Sequence, residues 1–129
     1  MGMALDIRRF AGERDTAALA DLLNRNNYWG PAWQGQPLAP ASLAATLHER
    51  CALLTLVGLH RGRIVGSIGF FRDSRRKVAG PQECYAGMFV IDAGHRNGQL
   101  AGALFAAGFE HIVEAGVRVL RTDVNLASA

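Results

Sequence analysis

Alternating and helical patterns of apolar residues divide the first fifty positions into a strand and two helices. Residues 5–10 alternate between apolar and polar side chains, which predicts a first strand. Small and apolar residues then recur at helical spacing over residues 17–23, with Asp15 or Thr16 as the N-terminal cap. A second helix is predicted from Ser42, its cap, to about residue 50.

The rest of the chain has the pattern of a β-hairpin, a further strand, a long helix and a last strand. These elements are predicted at residues 53–59, 64–71, 83–91, 100–115 and 117–124. Gly116 is expected just past the end of the long helix. The predicted core-facing stripe of that helix contains Leu104, Phe109, Ile112 and Val113. The order β-α-α-β-β-β-α-β predicts a mixed α/β fold whose last two strands are parallel and joined by a right-handed crossover.

Composition favours one domain over residues 1–129 and excludes several classes of protein. Of the 129 residues 50% are hydrophobic, enough for a core without disulfides or a structural metal. Cys51 and Cys84 have no cysteine or histidine at ligand spacing, which argues against zinc and for a reducing, cytoplasmic setting. No apolar run reaches the ~18 residues of a membrane span. The net charge of +3 suits a small anionic ligand and does not require nucleic acid.

Residues 92–101, between the predicted fourth strand and the long helix, are the segment best suited to binding a ligand. Gly94, Arg96, Asn97 and Gly98 stand directly before an apolar helix. The first N–H groups of a helix have no partner within it and lie at the positive end of its dipole, so such a turn can bind phosphate. A strand-to-helix loop also uses glycine simply to turn tightly, and composition does not separate the two interpretations.

The order of elements and this segment together resemble the GNAT superfamily of N-acetyltransferases. Residues 91–104, IDAGHRNGQLAGAL, are similar to its motif A, which runs through Arg/Gln-x-x-Gly-x-Gly/Ala into a helix and binds the pyrophosphate of acetyl-CoA. Arg96 falls on the Arg/Gln position, Ala101 on the last Gly/Ala and Leu104 on the helical leucine that follows. Upstream, residues 56–71 are similar to the second and third strands of the family. The resemblance implies a GNAT-like acyl-CoA N-acyltransferase fold.

The same resemblance implies acetyl-CoA, or another acyl-CoA, as co-substrate, with no metal. In the family the pantetheine pairs like an extra strand with the fourth strand, which maps onto the backbone of Phe89, Val90 and Ile91, residues whose side chains are expected in the core. The implied pyrophosphate-binding residues are Arg96, Asn97, Gly98, Gln99, Leu100 and Ala101, with Asn125 on the last strand.

The chain departs from the family pattern at two points. Gln99 stands where the family has its middle glycine, so a side chain is expected to crowd the phosphate, although its amide can itself donate a hydrogen bond. The final helix and two strands of the family, which often carry a tyrosine general acid, have no counterpart before Ala129. The fifth strand would then be an uncovered edge, so we expect either a longer protein or a homodimer whose second copy covers it.

The reaction implied is transfer of an acyl group from the CoA thioester to an amine, with a group that accepts a proton from the ammonium. Glu83 and Tyr85 project from one face of the fourth strand, and the catalytic glutamate of some relatives falls near Tyr85. Glu83 is therefore the candidate base, directly or through water, although it also fits a solvent-exposed strand end without function. Candidate walls of an acceptor pocket, or equally a cover for the core, are Tyr28, Trp29 and Trp33.

Three functions follow from these alternatives. The first is an N-acetyltransferase that acts on a small amine or peptide amine. The second is a catalytically inactive acyl-CoA-binding or dimerisation domain, favoured by Gln99 and by the absent last elements. The third is nucleic-acid binding through the arginines, which would depend strongly on salt.

Overall fold

The structure is a computed structural model that describes residues 5–26, 37–49, 52–72 and 82–122. Its elements follow the predicted order. They are β1 (Leu5–Arg9), α1 (Glu13–Arg25), α2 (Pro40–Glu49), β2 (Ala52–His60), β3 (Arg63–Phe71), β4 (Glu83–Ile91), α3 (Gln99–Glu114) and β5 (Val119–Thr122). A short 3-10 turn, Ala93–His95, joins β4 to α3. The mixed α/β class is thereby confirmed.

The five strands form one sheet in the order β1-β2-β3-β4-β5. The first three pairings are antiparallel, whereas β4 and β5 are parallel, as the sequence predicts. In the described part of the chain β5 pairs with β4 alone, so it lies at an edge of the sheet. No helix within the described ranges is long and apolar enough to cross a membrane.

Helices cover both faces of the sheet, and each face has its own hydrophobic cluster. Leucines of α1 and α2, such as Leu19 and Leu43, pack with Val57 of β2 and Phe71 of β3 on one face. On the other face α3 contributes Leu100, Leu104 and Ile112, which pack with Leu56, Ile68 and Phe70. The sheet is therefore the middle of three layers, an arrangement that buries apolar residues on both faces of its central strands.

The predicted helix starts are wrong by three or four residues. Helix α1 begins at Glu13 after Gly12, and neither Asp15 nor Thr16 caps it. The Asp15 carboxylate instead accepts hydrogen bonds from both Nη atoms of Arg8, at 2.6 and 2.9 Å, and from the Ala11 N–H at 2.7 Å. Helix α2 begins at Pro40 rather than after Ser42, because proline fits the first turn, where its missing N–H costs no hydrogen bond.

The C-terminal end of α3 is as predicted, and two of the four residues predicted for its buried stripe, Leu104 and Ile112, are buried. Gly116 has a φ of 87°. Its N–H donates to Val113 and the N–H of Val117 to Ile112, which completes a Schellman motif. The side chains of Phe109 and Val113 are 44% and 63% exposed, so they do not belong to the core. The face turned to the sheet instead contains Gly108, because an added Cβ there would lie 2.5 Å from the Phe70 ring.

Candidate functional site

A β-bulge interrupts β4 just before the predicted binding loop. Ser67 pairs with Val90 and Gly69 with Gly87, so Ile68 of β3 faces both Met88 and Phe89. Met88 is fully buried and has a φ of 51°, an uncommon conformation for a residue with a side chain. The Ser67 hydroxyl donates to the Met88 carbonyl at 2.7 Å and fixes this geometry.

The bulge changes which way the side chains of the strand end point. Val90 is buried in the cluster on the α1 and α2 face, and Ile91 packs against the cluster under α3. Phe89 is 40% exposed and its ring meets Phe105 of α3 edge-on at 5.2 Å, so the prediction that its side chain lies in the core is wrong. In the described residues β5 pairs with β4 only at residues 83–86. The backbone of Phe89, Val90 and Ile91 therefore lies beyond this pairing, where the resemblance puts the pantetheine.

The loop after β4 presents the N-terminus of α3. Gly98, with a φ of 86°, is the residue before the helix, and its carbonyl accepts the Gly102 N–H at 3.0 Å. The Gln99 N–H donates to the Asn97 side-chain oxygen at 3.0 Å. Among the described residues, the N–H groups of Leu100 and Ala101 have no hydrogen-bond partner. Two helix-terminal donors are thus available to an anion.

The glycines of this loop and of the first turn of α3 have open surroundings among the described residues. A Cβ added at Gly94, Gly98 or Gly102 would meet no atom within 4 Å. Gln99 is exposed at the first helical position, and Leu100 behind it is fully buried against the sheet. N–H donors at an exposed helix start fit a phosphate group.

Arg96 is held against the end of β4. Its Nε–H donates to the Ile91 carbonyl at 2.8 Å, and Nη2 donates to the Asn26 side-chain oxygen at 3.1 Å. Asn26 is the residue directly after α1. The guanidinium is otherwise exposed, so it lies beside the loop in a fixed orientation with N–H groups remaining for an anion.

Asp92 joins this loop to α1. Its carboxylate accepts hydrogen bonds from Arg25, at 2.9 Å from Nη2 and 3.0 Å from Nε, and from the Asn26 amide at 2.9 Å. The hydrogen bonds from Arg25 hold the pKa of Asp92 below its ordinary value, against the opposing effect of burial. The Asp92 N–H donates to Val65 of β3 at 2.8 Å. Both the carboxylate and the backbone of Asp92 are therefore held by hydrogen bonds.

Two histidines also meet beside the loop. His95 Nε2 and His60 Nδ1 are 3.2 Å apart, and the rings are edge-on with centroids 5.1 Å apart. Nδ1 of His95 is buried and has no hydrogen-bond partner among the residues that the structure describes. The contact joins the end of β2 to the 3-10 turn.

Glu83 and Tyr85 lie at the opposite end of β4 from the loop. Eight residues separate Glu83 from Ile91, about 26 Å of extended strand. The Glu83 side chain is only 16% exposed and accepts a hydrogen bond from Arg121 of β5 at 3.1 Å, so a solvent-exposed strand end is the wrong interpretation. Tyr85 is buried among the residues that pack under α1 and α2. A ligand held at the loop must therefore extend along the strand to approach Glu83.

The structure leaves several predicted residues undescribed and adds others that the sequence did not indicate. The predicted residues outside the described ranges are Tyr28, Trp29, Trp33, Cys51 and Asn125. Cys84 is a buried free thiol whose pKa is raised by burial, as a packed cysteine requires. Among the described residues no group of three or more potential ligands could hold a metal ion. Arg25 and Asn26 were missed, because a helix-end arginine and asparagine carry no local signal of a partner far along the chain.

The site defines a class of protein: an α/β domain whose strand-to-helix turn presents N–H donors suited to an anion, preceded by a bulged strand that, in the described residues, pairs with β5 only over residues 83–86. The model of the acetyltransferase (GNAT) family matches residues 16–129. This chain belongs to that family. A search of the curated proteins found no match.

Solved structures share the fold at low sequence identity. An acetyltransferase of Trypanosoma brucei is 23% identical with a TM-score of 0.70, and the match covers 96% of this chain and 85% of that one. A GNAT acetyltransferase of Brucella melitensis, solved with acetyl-CoA, is 17% identical with a TM-score of 0.68, covering 98% and 81% of the two chains. A GNAT N-acetyltransferase of Escherichia coli, solved with CoA, is 19% identical with a TM-score of 0.70, covering 98% and 66%.

Proposed function

We propose that this protein is an N-acetyltransferase that transfers the acetyl group of acetyl-CoA to a small amine or a peptide amine. The observation that carries the proposal is a pair of N–H groups, at Leu100 and Ala101, that have no partner among the described residues and lie at the exposed N-terminus of α3. They follow the end of β4, which lies beyond the described pairing with β5. A helix N-terminus favours negative charge, and the family match makes the diphosphate of acetyl-CoA the natural occupant.

The proposed cofactor contacts divide between the loop and the strand. Residues 96–101 hold the diphosphate: Leu100 and Ala101 through their N–H groups and Arg96 through its guanidinium. The Gln99 N–H joins them only if the phosphate displaces the Asn97 side chain that it now contacts. Phe89, Val90 and Ile91 pair with the pantetheine through their backbone N–H and C=O groups, which aligns the thioester along β4.

In the proposed reaction the amine nitrogen, once its ammonium proton has been removed, attacks the thioester carbonyl carbon. The C–S bond breaks, and the leaving CoA thiolate takes the proton that the nitrogen loses as the amide forms. Backbone N–H groups of β4 polarise the carbonyl oxygen as negative charge develops there. Glu83 takes the proton of the ammonium, directly or through a water molecule, and Tyr85 lies between Glu83 and the bulge on the same face. Because Arg121 contacts one oxygen of Glu83, the base is oriented before the substrate arrives.

Calorimetry with acetyl-CoA, followed by detection of free CoA thiol across a panel of amines, tests the proposal. We expect Glu83→Gln to lower kcat about 10²- to 10⁴-fold, the range for loss of a general base, with unchanged CoA affinity. Glu110→Gln, an exposed carboxylate on α3, is the matched control and should have no effect. Absence of binding at millimolar acetyl-CoA contradicts the proposal. Binding without transfer to any amine supports the alternative, an inactive acyl-CoA-binding domain.

A homodimer and a cytoplasmic location belong to the same proposal. The exposed apolar side chains of Phe109, Val113 and Val119 lie on α3 and on the edge strand β5, a surface that a second copy would cover. Cys84 as a free thiol fits a reducing compartment. Light scattering on the eluted protein distinguishes dimer from monomer, and Val113→Glu should dissociate the dimer if α3 forms the interface.

A further inference from the structure

The ion pair between Arg25 and Asp92 has no role in the proposed reaction, yet it lies directly behind the anion-binding loop. We propose that Arg25, Asp92 and Asn26 are positioning residues, which hold Arg96 and the loop in the conformation that binds a diphosphate. This inference rests on the proposed function, since it concerns the same anion site. We infer that residues at the C-terminal end of α1, outside the proposed diphosphate-binding residues 96–101, influence the affinity for CoA.

Arg25 connects three elements through one guanidinium. Nε and Nη2 donate to the Asp92 carboxylate, Nη2 also donates to the Ile64 carbonyl at 2.8 Å, and Nη1 donates to Asp21 at 2.6 Å. The start of β3, the end of β4 and the last turn of α1 are thereby fixed to one another. These contacts use Nε–H, both N–H groups of Nη2 and one of Nη1, so Arg25 has little capacity to bind an anion itself.

Asn26 extends the connection to Arg96. Its amide nitrogen donates to Asp92 at 2.9 Å and to the Leu22 carbonyl at 2.9 Å, which fixes the orientation of the amide. The oxygen of the amide is therefore turned to Arg96 and accepts from Nη2 at 3.1 Å. The second contact of Arg96, with the Ile91 carbonyl, completes its restraint. An arginine already held in place loses less conformational freedom when it binds an anion.

A second ion pair on the same helix provides the control. At the opposite end of α1, Arg8 donates to both oxygens of Asp15 at 2.6 and 2.9 Å, and that carboxylate also accepts the Ala11 N–H. The two aspartates have similar surroundings, with side chains 6% and 18% exposed. Only the Asp92 pair is connected to the loop. Removing the charge of either aspartate should therefore destabilise the fold in a similar way, but only the change at Asp92 should weaken CoA binding.

The experiment compares Asp92→Asn with Asp15→Asn by calorimetry at pH 7, using three probes: CoA, pantetheine and inorganic pyrophosphate. We expect Asp92→Asn to weaken binding of CoA and pyrophosphate by roughly tenfold or more, as for loss of a charge-assisted hydrogen bond. Pantetheine has no diphosphate, so its affinity should stay within about twofold. Asp15→Asn should leave all three affinities at the wild-type value, although both variants lose stability to urea.

Asn26→Ala gives a second test that keeps the ion pair between Arg25 and Asp92 and removes the amide contacts of Asn26 with Arg96, Asp92 and the Leu22 carbonyl. This variant should also weaken the binding of CoA and pyrophosphate and leave the affinity for pantetheine unchanged. It remains available as a test if Asp92→Asn does not fold. Equal CoA affinity in Asp92→Asn, Asp15→Asn and wild type overturns the positioning role while the proposed function stands. An equal loss for CoA and pantetheine also overturns it, because the damage is then general. If the wild type does not bind CoA, both proposals fail together.

Discussion

Substituting Gly108 by alanine tests how closely α3 packs on the sheet that carries the site. The added Cβ would lie 2.5 Å from two ring atoms of Phe70, a fully buried side chain under the helix. Gly102 is the matched position on the same helix, where a Cβ meets nothing within 4 Å. Both substitutions gain about 1 kcal/mol of helix propensity, but overpacking a core costs about 1–3 kcal/mol. We expect Gly102→Ala to stabilise the protein and Gly108→Ala to be about 1–3 kcal/mol less stable than it.

Urea unfolding followed by circular dichroism at the helix band measures both free energies of unfolding, and a shared slope allows the midpoints to be compared directly. The reasoning is refuted if Gly108→Ala is as stable as Gly102→Ala. That result would mean that α3 can move away from Phe70 at no cost, and that its N-terminus is not held at a fixed height above β4. The position of the Leu100 and Ala101 donors depends on that height.

Three further substitutions test individual contacts. Gln99→Gly removes the side chain expected to crowd the phosphate and should tighten CoA binding, as measured by calorimetry. An unchanged or weaker affinity would contradict this and indicate that the Gln99 amide makes a favourable contact with CoA. Asn97→Ala removes the acceptor that now holds the Gln99 N–H and should tighten CoA binding by about two- to tenfold, the worth of one hydrogen bond. The hydrogen bonds from Arg8 hold the pKa of Asp15 below its ordinary 3.8, so this pair stabilises the fold above that pH and the contribution is lost as pH falls through the lower, folded pKa. Asp15→Asn should therefore be less stable than wild type at pH 7 and lose less stability on acidification, and parallel stability curves for the two proteins below pH 4 would contradict this assignment.

Local patterns predicted the elements of the fold because each depends on residues a few positions apart. The bounds of β4 were predicted without error, since an apolar run between a polar loop and a glycine-rich turn has few alternatives. The start of α1 was wrong for a non-local reason. Asp15 is the right type of residue for a cap, but Arg8 on the neighbouring strand competes for its carboxylate and wins with two hydrogen bonds.

The sequence predicted the backbone features of the candidate site but not the side-chain contacts that support it. Glycine and asparagine before an apolar helix were enough to indicate an open N-terminus. The contact of Arg25 with Asp92 joins residues 67 positions apart, and no spacing rule connects a helix end with a strand end at that separation. The bulge at Met88 lies inside an apolar run with no charge, and Gly87 directly before it does not by itself distinguish a bulge from a regular strand.

The bulge in β4 also determines which residue reaches α1. Counted from Gly69 and Gly87, an unbroken ladder would put residue 91 opposite Val65, whereas the extra residue puts Asp92 there, with its N–H on the Val65 carbonyl. Deletion of one residue at the bulge would draw the strand end back by about 3.3 Å and bring Ala93 to the position of the carboxylate. Arg25 would then face a methyl group. The single extra residue in β4 thus acts as a spacer: it gives the strand the length that places Asp92 within reach of Arg25 on α1.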